Sequence, residues 1–238
     1  MYCSEYCLEM PDDFPIDELL QFMSTSRHVL LNPDKSLAWV EFAGASNLIG
    51  WRFRASSEDW IAYKKSLDTH GDSGGFEEIY FRERSLFGMF SSGVSCIEST
   101  TYALAALASH PNVLSLPFGE TEQRACSPKK LVKWLTPYAD ASLLVAVLNK
   151  LLSSGEWSLW VELRNRMTHR SNLPRITNAS VGAPPPVSKP LNFAPTSSTR
   201  RLEAEISEFD GLYNWLAKSL GDLLIEGRQL ATCKTHNV

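Results

Sequence analysis

The strongest constraint on how this chain folds is a stepped run of apolar positions in its second quarter. Between about Phe76 and Ser109, the residues Phe90, Val94, Ile97, Thr101, Leu104 and Ala108 recur at intervals of four and three. That spacing lines side chains along one stripe of an α-helix, and such a stripe has to be buried against other elements. His110-Pro111 ends the run, because proline disfavours the helical conformation in the residue before it. A long helix with a single packing seam points to helix-on-helix packing.

The segments downstream have the same character. Ser127-Pro128 gives a cap followed by proline at the first helical position, which predicts a helix through Leu135. Thr136-Pro137 repeats the signal and is expected to open a helix from Tyr138 to Leu152, carrying the apolar run LLVAVLNKLL. A third helix is predicted from about Gly155 to Ser171. Asn172 to Ser198 then holds six prolines in 27 residues, too many for regular helix, and reads as an extended loop or short ribbon. A final helix begins near Ser198-Thr199 and keeps Leu202, Ile206, Phe209, Tyr213, Leu216, Leu220 and Leu223 on one face. The fold class is therefore all-α. Residues 76–238 are expected to form a four-helix bundle with a Pro-rich insertion at 172–198 between its last two helices.

The first seventy-five residues carry weaker signals. Ile16 to Met23 reads as a short helix. Asp34 to Arg54 is open between a long helix and a hairpin, because Gly44 and Gly50 weaken either reading. Ser57-Glu58-Asp59-Trp60 has the form of an N-cap with acids in the first turn, opening a helix to about Leu67. The loop HGDSGG, His70 to Gly75, marks a plausible boundary. Residues 1–75 are thus expected to be a mostly helical region packing on the bundle.

Composition removes several function classes. The net charge of -4 over 238 residues argues against coating nucleic acid through bulk electrostatics, so any such contact has to be local. The five cysteines, Cys3, Cys7, Cys96, Cys126 and Cys233, are scattered, and no histidine pair has HxxxH or HExxH spacing. A metal site therefore has no sequence support, and free thiols in a reducing compartment are expected. The N-terminal stretch is polar and acidic, unlike a signal peptide. No apolar run approaches the roughly 20 residues that span a bilayer. The expectation is a cytoplasmic protein with no membrane partner.

Against this background one stretch is unusual: ELRNRMTHRS, Glu162 to Ser171, which places three arginines, an asparagine and a histidine on one helix. At about 100° per residue, Trp160, Leu163 and Met167 form the seam facing the bundle, while Asn165, His169 and Glu162 share the opposite face and Arg164 lies at the flank. His169 is therefore not placed as a core histidine. Its face is either simply solvated or meets a ligand or another subunit.

Arg164-Asn165-Arg166-Met167-Thr168-His169 resembles the R-x4-6-H motif of HEPN domains, in the form with Asn directly after the Arg. Gly93 to Ala108, GVSCIESTTYALAALA, looks like the long family helix that packs beside the motif helix, with Glu98 as its isolated acid. The resemblance covers about residues 76–230. It leaves residues 1–75 unaccounted for, and the Pro-rich insertion departs from a minimal bundle. HEPN domains are all-helical bundles, and many act as metal-independent RNases in toxins and defence systems. The resemblance implies a HEPN-like bundle acting as an endoribonuclease, with catalytic Arg164, Asn165 and His169, no cofactor, and a homodimer with its site at the interface. RNA would be the substrate, and an antitoxin or other protein a further partner.

The chemistry suits these residue types. RNA carries its own nucleophile, the 2′-hydroxyl; histidine can move its proton near neutral pH, and arginine can grip two phosphate oxygens. Asn165, one turn before His169, could orient the imidazole. Arg164 and His169 diverge by about 140° around the helix axis, so two copies are better able than one to aim both groups at a phosphate. Arg166 and Arg170 would add a positive rim for RNA, or be ordinary solvated charges. Glu98, with seam neighbours Val94 and Thr101, is expected either to be partly buried and orient an Arg or His of the motif helix, with Glu162 also in support, or to be a simple helix-surface glutamate. Two other classes stay open: a non-catalytic HEPN-like module binding RNA, a nucleotide or a protein, and a generic helical interaction protein.

Overall fold

The computed structural model describes residues 2–3, 8–31, 37–70, 75–169, 191–193, 202–204 and 206–232. Among these residues, eight α-helices supply nearly all of the regular structure. Two small antiparallel hairpins complete it, β1 (Tyr2–Cys3) with β2 (Leu8–Glu9), and β3 (Leu191–Phe193) with β4 (Leu202–Ala204).

The frame is a pair of long antiparallel helices, α2 (Leu37–His70) and α3 (Phe76–Ser109), each of 34 residues. At the helical rise each is about 50 Å long. The bounds of α3 are those its apolar seam predicts. α2 instead replaces two expected elements with one. Ser56, next to the expected cap, donates its hydroxyl to the Met89 carbonyl of α3 at 2.9 Å, and Ser46 donates to Phe42 at 2.6 Å. Both hydroxyls are buried and satisfied inside the helical pair, so neither ends the helix. Gly50 is buried in the same run, where the Cys96 thiol reaches the Ile49 carbonyl at 3.4 Å. Near the far end of α2, the buried guanidinium of Arg82 donates to the Ser66 hydroxyl and carbonyl at 2.9 and 3.0 Å.

α1 (Ile16–Leu30) runs a full two turns beyond its expected end. After α3 come α4 (Glu120–Ala125), α5 (Pro128–Leu135), a short 3-10 turn (Ala139–Ala141), α6 (Ser142–Ser153) and α7 (Gly155–His169). α5 opens as expected, with the Ser127 hydroxyl accepting from the Lys130 N–H at 3.3 Å. Thr136 does not open a helix. Its N–H and hydroxyl both donate to the Val132 carbonyl, at 3.0 and 2.7 Å, and so close α5. α4 was not expected, because six residues are too few to show a helical period.

α8 (Ile206–Thr232) returns along α1 and buries Phe209, Tyr213, Leu216, Leu220 and Leu223. Leu202, placed on the same face by its spacing, belongs to β4 instead. The expected helix start at Ser198-Thr199 and most of the Pro-rich insertion lie outside the described residues. One apolar core runs from Met10 to Ala231, so residues on both sides of position 75 share it. No described helix is long and apolar enough to cross a membrane.

Candidate functional site

The position of α7 is set by one large side chain. Trp160 is 1% exposed and presses its ring onto Gly93 of α3, where a Cβ would lie 2.4 Å from Cζ3. Phe90 meets the same ring edge-on at a centroid distance of 5.0 Å, and the indole N–H donates to the Leu212 carbonyl of α8 at 3.2 Å. Only glycine leaves room for this approach. Trp160 and Leu163 are buried and Met167 partly so, the seam expected for the motif helix.

One turn after Trp160, this docking brings Arg164 beside α3. Its guanidinium donates to the Glu98 carboxylate at 3.4 Å, the two side chains being 29% and 45% exposed. Glu98 is thus less buried than its seam neighbours suggest, and its partner is the motif arginine. A pair this open to water contributes about 0–1 kcal/mol. Replacing Glu98 with alanine is therefore expected to lower the melting temperature by only a few degrees, measured by calorimetry, while freeing the guanidinium to move. Arg164 also keeps Nε buried with no hydrogen-bond partner among the described residues. Arg166 Nε is likewise buried without a partner among the described residues, and an orphaned donor of this kind costs about 1–3 kcal/mol.

Arg166 departs from its expected placement. Rather than joining a solvent-facing rim, it is 7% exposed, with its guanidinium 2.5 Å from the Glu162 carboxylate. A cation removed from water needs such a partner, so Glu162 serves Arg166 where it was expected to support the catalytic face. Asn165 lies between the two arginines and is half-buried. The Thr168 hydroxyl donates back to the Arg164 carbonyl at 2.8 Å. His169 is the last residue of α7, about 7.5 Å along the axis from Arg164. Arg170 lies outside the described residues. The structure thus joins Arg164 to Glu98 and Arg166 to Glu162, with Asn165 between the pairs.

Cys126, at the entrance to α5, lies close enough to Glu98 to feel its charge. Burial, reinforced by that carboxylate, pushes its thiol up to about 12. It stays protonated at neutral pH and is a poor nucleophile there. A separate open depression of about 380 Å³ includes Glu41, Ser109, His110, Phe118 and Gln123 in its lining. His110 is buried and its pKa is lowered by desolvation, so the imidazole is neutral, with Nδ1 accepting from the Asn112 N–H at 3.2 Å. The sequence offered His110-Pro111 only as a helix stop, and nothing in its spacing pointed to a concavity. Neither Arg164 nor His169 lines it.

Comparison with family models, with curated proteins and with solved structures finds no match to this chain.

Proposed function

We propose that the protein is a HEPN-type endoribonuclease that cleaves RNA by attack of the 2′-hydroxyl, with Arg164, Asn165 and His169 in the catalytic roles. The observation that supports this best is the state of Arg164. Glu98 tethers its guanidinium across two helices at 3.4 Å while the side chain stays 29% exposed, so the remaining edge of the fork is placed to receive a phosphate oxygen. His169 acts as the proton carrier and Asn165 orients it. A second copy of the chain supplies the complementary group, since positions 164 and 169 are about 140° apart around one helix. The contribution of Arg166 is to packing, through Glu162, and Arg170 supplies the contact to the RNA backbone.

The test is purified protein incubated with labelled RNA, with and without EDTA. Cleavage is expected to survive the chelator and to leave 2′,3′-cyclic phosphate ends, because this route needs only a base, an acid and charge stabilisation. Activity that requires a divalent metal would remove the mechanism. Arg164→Ala is expected to reduce single-turnover cleavage by about 10²–10³-fold, the usual cost of losing a charge-stabilising donor. Arg164→Lys is expected to recover little of that, because an ammonium cannot reproduce a bidentate grip.

One observation favours a second reading. Arg164 and Arg166 are both paired with acids of the same chain, which leaves less free positive charge than an RNA-processing face would use. A non-catalytic HEPN-like module that binds RNA, a nucleotide or a protein fits that arrangement. Absence of cleavage on any RNA, together with measurable binding, would select it.

A further inference from the structure

Among the described residues, the outer face of α2 near its N-terminus is apolar and uncovered. Leu37 is 68% exposed, Val40 60% and Trp51 57%; Leu48 is exposed as well, and a Cβ on Gly44 would meet nothing within 4 Å. On the helix these five residues fall within about 40° of one direction. Their order is symmetric about Gly44, with Val40 and Leu48 four residues to either side and Leu37 and Trp51 seven to either side. The flanks alternate too: Val40 and Trp51 lean to one side of the stripe, Leu37 and Leu48 to the other.

We infer that this face of α2 is where a second copy of the chain docks, antiparallel and about a twofold axis through Gly44. The axis sets Val40 of one copy beside Leu48 of the other, and Leu37 beside Trp51. Because the members of each pair lean to opposite flanks, they interleave and do not collide. Gly44 against Gly44 lets the helices approach closely. The rim is charge-complementary in the same register. Glu41 and Arg52 lie on the same flank, about 60° and 80° from Gly44. Side chains lean toward the N-terminus of their own helix, so in an antiparallel pair Glu41 of one copy and Arg52 of the other lean toward each other. Glu41 Oε2 already accepts the Tyr102 hydroxyl at 2.7 Å, which holds the carboxylate in place. Each twofold contact contains this pair twice. With its flanks the stripe buries on the order of 1,000 Å² over both copies, at the low end of specific interfaces, so the dimer is expected to dissociate on dilution. The contact does not use the Glu162 and Asn165 face of α7, and it does not depend on the nuclease reading.

The test uses the full chain. Gly44→Cys is expected to form a disulfide-linked dimer on mild oxidation, whereas Glu58→Cys, about 21 Å further along the same helix, is not. In light scattering over a concentration series, Val40→Glu and Trp51→Glu are each expected to weaken association by roughly 30-fold, as for loss of a buried anchor. Both positions are exposed, so the variants fold. Gly44→Cys linking no better than Glu58→Cys overturns the inference. So does an oligomeric mass that neither charged variant changes.

Discussion

His169→Ala is expected to lower RNA cleavage by about 10²–10⁴-fold, the range for removing a general acid or base. The same variant is expected to keep its melting temperature, because His169 is the last residue of α7 and its position is out of step with the seam spacing of Trp160 and Leu163. The pairing of these two results is what discriminates. Lost cleavage with an intact melting transition locates the defect in the chemistry, whereas a parallel loss of both would describe a folding defect. Full activity in His169→Ala, measured under single-turnover conditions, would rule out the proposed proton transfer outright.

The second large effect is on stability, at the contact between Trp160 and Gly93. Trp160→Ala is expected to cost about 3–5 kcal/mol, as for other fully buried aromatic side chains. Gly93→Ala is expected to cost about 1–3 kcal/mol through overpacking, since its Cβ would lie 2.4 Å from the indole. That penalty outweighs the helix-propensity gain of about 1 kcal/mol for replacing a mid-helix glycine by alanine. With Trp160 removed, the clash disappears and the propensity gain remains. Denaturant unfolding of the double variant is thus expected to show it no less stable than Trp160→Ala alone, a strongly non-additive cycle. Additive losses would mean that the two residues do not act through each other.

How much of this was legible in the sequence depended on whether local rules and packing agreed. α3 was readable to both ends because its seam is long and a proline follows it. The seam of α7 was readable from its spacing, and with it the placement of Arg164 at the seam's flank; that α3 lies on that flank is seen only in the pair with Glu98. α2 was not, because Gly44, Gly50 and the Ser56-Ser57 pair are local breaking signals overridden by contacts with α3, such as the Ser56 bond to Met89. The Thr136-Pro137 pair failed in the opposite sense: a good start signal was used to end α5. The burial of Arg166 was invisible because an ion pair with Glu162 lets a charged residue occupy a position that composition would assign to solvent. The Trp160–Gly93 approach could have been suspected from a glycine inside an otherwise apolar seam, although its partner sits 67 positions away in sequence.

The order in which these contacts span the chain bears on how the protein assembles. The α2–α3 hairpin is local, with Ser56 and Met89 only 33 residues apart, so it can form early. The packing of α8 on the N-terminal elements is among the most distant in the chain. Asp13 and Tyr213 are 200 positions apart, and Gln21 and Arg228 are 207. Trp160, whose docking positions Arg164, waits for the Leu212 carbonyl of that same last helix. During synthesis the motif helix therefore leaves the ribosome before its final support exists: Trp160 can seat on Gly93 and Phe90 of α3 first, and α8 then adds the acceptor for its indole N–H. The pair between Arg164 and Glu98 can thus form ahead of the last helix, and closure of α8 over the N-terminal elements locks a frame that α3 and α7 have already laid down.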